Sequence, residues 1–475
     1  MSVIRLQPSG VAIPEQRRAA SPVDSLRRRV AGPVLLEGDE DLAAEVACWN
    51  LAVRHDPAVV VGAACTADVV AAVRWAVEQG LHVAVQATGH GPVRDAAGSL
   101  MITTRRMQGI HIDAGRRTAR VQAGVPWDAV MAAAAEHGLA GLRGSSSGVG
   151  VVGYTLGGGL GSFGRKHGFA ADHVRAVEMV TADGRLRRVT AESEPELFWA
   201  IRGGKGNFGI VTEMEFDLVP AERLVAGGVF FAGADAAAVL HAFREWAPTM
   251  PEEVGTSIAI LRVPPMEELP PPLRGQTVVH LRYAYCGDDA AEGARLVEPM
   301  LRAGTVLLGG VGPMPVGAMD AIHMDPVDPT PACEKGMLLA DLPADAVDAL
   351  IAAAGPQVEL PLIMVELRLL GGALSRQPET PNAVAGRDAA WSAFALAPGV
   401  PELAQVAPAV VRGVLDALRP WAAPGCLVNF LGDVSGAEEV AAAYPPATAE
   451  RLLALKRVLD PAGTFSFGHA LTPRG

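Results

Sequence analysis

Cysteine is scarce in this 475-residue chain, and the five it has are scattered: Cys48, Cys65, Cys286, Cys333 and Cys426. An odd number with no C-x-x-C pair fits buried free thiols in a reducing compartment better than a disulfide framework or a zinc site. No apolar run reaches spanning length and no charged-then-apolar leader opens the chain, so a soluble, cytoplasmic protein without a membrane partner is expected. Basic residues are outnumbered, 40 against 52 acidic, and the net charge of -12 argues against a nucleic-acid surface. Tyrosine chemistry has four residues to draw on, Tyr154, Tyr283, Tyr285 and Tyr444. What is abundant is apolar character: 50% of residues are hydrophobic and 19% charged, enough for two or three folded domains.

Residues 1–34 mix Pro, Gly, Ser and Arg and read as a mobile arm ending in a short helix. From residue 57 strands and helices alternate. Val59-Val60-Val61 reads as a buried strand; Thr66 caps a helix carrying Val69, Val70, Val73 and Val77, closed by Gly80. The strand Val83–Val85 runs into the loop Ala87-Thr88-Gly89-His90-Gly91, short strands follow near 101–104, 109–112 and 118–122, and Pro126 opens a helix to Ala135. Strands at 174–181 and 186–190 are joined by Asp183-Gly184, and a helix from Pro195 leads to a last strand at 210–218. After Pro220 the texture changes. Strand candidates at 226–231, 255–263, 276–286 and 358–370 alternate with helices near 235–246, 288–303, 343–354 and 403–419, the pattern of an antiparallel sheet with helices on one face. Residues 426–475 read as a return, with a short strand and a helix over 447–458.

Three loops carry the candidate chemistry. The first is Ala87 to Gly91; the second runs from Gly144 to Asp172 and holds Gly157-Gly158-Gly159-Leu160-Gly161; the third is Arg202-Gly203-Gly204-Lys205-Gly206-Asn207-Phe208-Gly209-Ile210-Val211. The run at Gly157 lacks both the spacing of a dinucleotide turn and the Lys-Ser/Thr of a P-loop, and alone it supports little beyond a loop. Together the three offer many backbone amides and few acidic side chains, which suits a pyrophosphate-bearing cofactor.

This combination resembles the FAD-binding domain of the vanillyl-alcohol oxidase and p-cresol methylhydroxylase (PCMH) superfamily, and within it the berberine-bridge-enzyme-like oxidoreductases, many of which tailor natural products. The resemblance covers roughly 35–220 and the C-terminal return; the middle matches in layout more than in motif. It implies an α+β, two-domain PCMH-type fold: arm 1–34, FAD-binding domain 35–220, antiparallel-sheet substrate domain 221–430, and a return 431–475 to the FAD domain. His90 falls where the family's R-S-G-G-H histidine bonds covalently to FAD, flanked here by Thr88, Gly89 and Gly91. Ser146 stands where some relatives carry a second attaching cysteine, so one covalent link at most is implied. Val149 lies where a small valine is associated with oxygen access, which favours an oxidase using O2. Gly150, Gly153, Gly157, Gly158, Gly159, Gly206, Asn207, Gly209, Ile210, Val211 and Asn429 complete the implied cofactor set. Arg165 and Asp172 read as structural anchors of the second loop, and no metal is implied.

The expected activity is oxidation of a small or medium organic molecule, with O2 reoxidising the flavin to give H2O2. An oxidative cyclase, a dehydrogenase and a redox-idle flavin-binding protein are the alternatives. Relatives with an Asn-Tyr pair near the C-terminus have a candidate base in that tyrosine; here the pair is Asn429-Phe430, and phenylalanine carries no proton. Tyr154 is then the first candidate, being nearest in sequence to the loops. Tyr283 and Tyr285 share one strand face and point either into the site or against helices. Glu366, alone on an apolar strand beside Arg368, is either an ion-pair partner or a base or substrate anchor.

Overall fold

The computed structural model describes residues 22–91, 94–220 and 224–472. Of the expected arm, 1–21 lies outside the described residues; Pro22–Arg27 forms the short helix and buries Leu26 against the helix Thr66–Gln79.

The N-terminal part holds two sheets. The first has the strand order Val34–Leu35, Val59–Gly62, Leu100–Thr103, Val83–Gln86, its last three strands parallel. Val59 to Gly62 is buried throughout, as a parallel strand covered on both faces must be. Thr66–Gln79 makes the crossover and ends on Gly80 in the left-handed region at φ 68°. Thr66 opens this helix without capping it; Asp68 accepts from the backbone N–H groups of Ala31, Gly32 and Ala64 instead. Val69 and Val73 are fully buried while Val77 faces solvent. The second sheet is antiparallel, ordered Ile110–Asp113, Thr118–Gln122, Ile210–Asp217, Val174–Val180, Leu186–Val189. Ile210 and Val180 reach the core beneath the crossover helix, so the two sheets share it.

Beyond residue 224 an eight-stranded antiparallel sheet dominates. Its path is Val306–Gly309, Leu224–Ala232, Thr277–Tyr285, Val254–Arg262, Met364–Leu369, Trp391–Pro398, Ala332–Leu339, with Gly312–Met314 also paired to the second of these. Helices Ala236–Trp246, Ala290–Leu301, Ala344–Ala354 and Ala407–Asp416 cover one face, burying Phe243, Trp246, Val297, Leu350 and Val411. The four expected strands are present. Those at 306–309, 312–314, 332–339 and 391–398 carry weaker patterns: Trp391–Pro398 is spaced by alanines, which also favour helix, and Ala332–Leu339 is interrupted by Glu334-Lys335-Gly336.

The return differs from expectation. Among the described residues of 426–472 there is no strand; the helix Pro446–Leu459 packs on the helix Pro195–Ile201 and on the turn Lys205–Phe208. Lys456, fully buried, donates to Asp460 Oδ2 at 2.6 Å, Asn207 O at 2.7 Å and Phe465 O at 2.8 Å, fixing the third loop to the C-terminal segment.

Candidate functional site

The strand Val83–Gln86 delivers the first loop against the segment 47–50. Gly89 has φ 72°, and a Cβ there would lie 2.6 Å from the Cys48 backbone, so glycine is required for the approach. Asn50 N donates to Gly89 O at 3.0 Å. His90 stacks on Trp49, ring centroids 4.7 Å apart and planes at 13°. Its Nδ1 lies 2.9 Å from Thr88 Oγ1, which also accepts from Gly150 N at 3.2 Å. Its Nε2 is buried with no hydrogen-bond partner among the described residues. Burial holds the pKa down to about 4, so the ring is neutral near pH 7. Trp49, which fixes the ring, lies in an irregular segment with no pattern in the sequence to mark it.

The second loop meets the first here: a Cβ on Gly148 would lie 3.7 Å from His90 Cε1. Val149 is half-buried, its carbonyl accepting from Trp127 N at 3.0 Å. Ser146 is half-buried and offers a hydroxyl, not a thiol. Gly91, Gly153 and Gly206 face open space, with nothing within 4 Å of where a Cβ would stand, and so leave room for a ligand beside His90 and along two of the loops. Gly157, Gly158 and Gly159 do otherwise. A Cβ on Gly157 would run onto Asn429 Oδ1 and lie 2.7 Å from Lys205 Cε; on Gly159 it would lie 2.7 Å from Ala170 Cβ. Gly158 O and Gly159 O accept from Ala171 N and Ala170 N at 2.9 Å. On the side where a Cβ would stand, this run is packed against Asn429, Lys205, Val384 and Ala170.

In the third loop Asn207 Nδ2 donates to Gly204 O and His469 O, and its Oδ1 accepts from Leu471 N, so its side chain is spent on the C-terminal segment. Gly209, at φ 153°, lies against Val180 O, while Ile210 and Val211 are core residues. Asn429 Nδ2 donates to Tyr154 O at 2.8 Å and ties the return to the helix Val151–Leu156. The two anchors are structural: Asp172 accepts from Asn382 and Arg387, and Arg165 donates to the carbonyls of Leu370, Met250 and Pro251.

The uncovered face of the eight-stranded sheet turns toward these loops. Residues alternate along Thr277–Tyr285, and Tyr283 and Tyr285 fall on the helix side, Tyr283 donating to Gly293 O at 2.7 Å. Packing against helices takes both tyrosines out of the candidate catalytic set. The opposite register presents His280 and Arg282. Glu366 is buried between Arg282 Nη1 at 2.9 Å and Arg368 Nη2 at 3.0 Å and accepts from Ser257 Oγ at 2.5 Å. Burial raises its pKa, but the two guanidiniums outweigh it and hold the carboxyl well below the usual range. An ionised, doubly paired carboxylate is a poor base, which favours the ion-pair role. Tyr154 is packed against Gly144, Gly159 and Gly161 with its hydroxyl buried and unpartnered; burial pushes its pKa up against the pull of Arg368 and Arg143, so it holds its proton. Phe430 packs against Phe394 with ring centroids 5.2 Å apart and planes tilted at 54°, and the Arg368 guanidinium lies 5.8 Å from the Phe430 ring centre.

Two further groups stand out. Arg143 donates to Asp320 Oδ1 at 2.5 Å and Ser147 to Oδ2 at 2.6 Å, which latches the short helix Asp320–His323 onto the second loop. Glu334, at the sheet's last strand, is pushed by burial to about 7, while Lys205 opposes the shift and is itself held by burial to about 8.

The sequence matches a family described as FAD binding domain over residues 57–190. It is 32% identical over 234 residues to (R)-6-hydroxynicotine oxidase of Paenarthrobacter nicotinovorans, covering 49% of this chain and 48% of that protein. With glucooligosaccharide oxidase of Sarocladium strictum the identity is 30% over 221 residues, 45% of this chain and 44% of the relative. The matches thus span about half the length of these curated relatives. In structure the chain is similar to 6-hydroxy-D-nicotine oxidase from Arthrobacter nicotinovorans, with TM-score 0.81 and 25% identity over 93% of this chain and 98% of that one. It is also similar to Physcomitrella patens BBE-like 1, with TM-score 0.82 and 20% identity over 95% and 99%. The chain therefore carries an FAD-binding domain in a PCMH-type, berberine-bridge-enzyme-like fold. Among the described residues no helix is long and apolar enough to cross a membrane.

Proposed function

We propose that this chain, built on a PCMH-type fold with an FAD-binding domain, is an FAD-dependent oxidase of a small or medium organic molecule. The relatives named above are oxidases, of a hydroxynicotine and of glucooligosaccharides. Bound FAD supplies the electron acceptor for substrate oxidation, with O2 as the final acceptor and H2O2 as product. The observation that carries the reading is His90: a neutral imidazole, fixed by Trp49 and Thr88, with a buried Nε2 that finds no partner among the described residues. A buried, unpaired ring nitrogen is costly unless a ligand meets it. With Nδ1–H donating to Thr88 Oγ1, Nε2 would keep its lone pair, and His90 would hold FAD by a single covalent bond that replaces a C–H bond of the flavin's methyl group, the two electrons released passing to O2. Ser146 lacks the thiol for a second. Gly91, Gly148, Gly153 and Gly206 leave the cofactor its room.

Two further residues complete the site. Tyr154, on the helix Val151–Leu156 and kept protonated, holds a buried hydroxyl available to donate to a bound ligand. Glu334, whose raised pKa places it near the working pH, is the better proton acceptor than the paired Glu366. Five free thiols fit a cytoplasmic location. The test is direct. The purified protein, precipitated in acid, should give a yellow pellet, and His90→Ala should release its flavin to the supernatant. A colourless protein that also fails to take up added FAD would sink the reading.

A further inference from the structure

A partly open pocket, about 360 Å³ with the open solvent at its mouth included, lies between Leu160–Ser162 of the second loop and the uncovered face of the sheet. Arg165, Arg282 and Arg368 line it, and among the described residues no Asp or Glu does; the carboxylate of Glu366 lies behind Arg282 and Arg368. His323 also lines it, with Nδ1 buried and unpartnered, and His280 lies beside Arg282. Both histidines are held by burial well below 6.5 and are neutral, so they add no charge. Three guanidiniums against one carboxylate leave an excess of two positive charges. A buried cation without a counter-ion is strongly unfavourable, and one arginine would suffice to neutralise Glu366. Arg165 is satisfied by carbonyl oxygens, which bond it without neutralising it. Glu252 acts on Arg165 but is itself held in a two-pronged bridge with Arg376, so this pair adds a guanidinium for the carboxylate it brings.

We infer that this cavity binds the carboxylate of an organic acid, and that the substrate of the proposed oxidase is such an acid. A planar carboxylate suits the forked guanidinium better than any neutral group. Leu160, Ile322, Leu369 and Leu374 supply apolar lining for the body of a branched or aromatic acid. This deepens the flavin reading, on which it rests, by naming the class of substrate; the Arg143–Asp320 ion pair ties the helix bearing His323 to the start of the second loop.

The probes are benzoate and benzamide, matched in shape and differing in charge, titrated calorimetrically into the purified protein with the flavin it retains. Benzoate should bind about tenfold tighter or more than benzamide. Arg368→Gln should bring the two within about threefold, and Glu366→Gln, which removes the competing internal carboxylate, should tighten benzoate by about tenfold and leave benzamide unchanged. A gain of affinity in Glu366→Gln is not produced by misfolding. Equal binding of the probes by the native protein, or no measurable benzoate binding at millimolar concentration, overturns the inference. Flavin content is read on the same samples: a yellow protein without carboxylate preference refutes the anion cavity alone, and a protein that cannot take up FAD refutes the flavin reading.

Discussion

If His90 forms the bond to FAD, the rate of that step must follow the fraction of neutral imidazole, and the structure fixes where that fraction changes. An exposed histidine titrates near 6.5, whereas burial holds His90 at about 4. Between pH 7.5 and pH 5.5 an ordinary imidazole falls from about 91% to about 9% neutral, a tenfold loss, while one with a pKa of about 4 stays above about 95%. Apoprotein mixed with FAD and quenched in acid at timed intervals gives the attachment rate as flavin in the pellet. The expected profile is flat within about twofold from pH 7.5 to 5.5. A tenfold decline over that interval would show that His90 titrates as a solvated residue, and the buried, stacked ring against Trp49 would not describe the reacting state. Trp49→Ala provides the internal contrast: with its stacking partner gone the ring gains water, and the profile should acquire the decline that the native protein lacks.

Glycine substitutions should separate cradle from junction. Gly153→Ala sits in a helix with open space around it and should stabilise the flavin-free protein by about 0.5–1 kcal/mol while weakening FAD uptake; Gly157→Ala, driven onto Asn429 and Lys205, should destabilise by about 1–3 kcal/mol, both read by denaturant unfolding. Lys456→Met strands the Asp460 carboxylate and the carbonyls of Asn207 and Phe465, and should cost about 3–5 kcal/mol, with Asp460→Asn recovering part of it in the double variant. His280, His323 and His469 have folded pKa values below the unfolded 6.5, so the stability they contribute is present above pH 6.5 and lost as pH falls. A melting temperature that drops between pH 7 and 5 is expected, up to about 1.4 kcal/mol per histidine by pH 5.5, and a flat profile would refute their burial as neutral rings.

The N-terminal half was legible because its signals are local. Gly80 closes its helix in the left-handed region, and Asp183-Gly184 turns its hairpin, as one-residue chemistry requires. The glycines were legible as loops but not as roles. Gly157–Gly159 and Gly153 look alike in sequence, and what distinguishes them is Asn429 and Ala170 arriving from segments far along the chain or from the next turn. No local pattern carries that information. Trp49 escaped for the same reason, its partner His90 lying across an irregular loop. Across residues 306–398 the missed strands have alanine or a Glu-Lys-Gly break where period-two patterning would need bulk, and their pairing is set by the neighbours they complete.

The strand Thr277–Tyr285 shows how close the sequence came to the sheet face turned from the helices. Its alternation defines two registers, one holding Val279, Leu281, Tyr283 and Tyr285, the other His280, Arg282 and Ala284. Tyrosine invites a catalytic reading, yet tyrosine is amphipathic and often packs in cores, with its hydroxyl on a carbonyl, as Tyr283 does on Gly293. A histidine and an arginine two residues apart in an apolar strand have no such option: a buried guanidinium needs an anion, and the chain supplies Glu366 from a strand two places away. Charge in an apolar register therefore marks the face turned from the helices, and the same rule picks out Glu366 with Arg368 and then Glu334. Followed across the sheet, it arrives at a cavity with more guanidinium than carboxylate, and that imbalance, rather than any single residue, is what the benzoate and benzamide titrations measure.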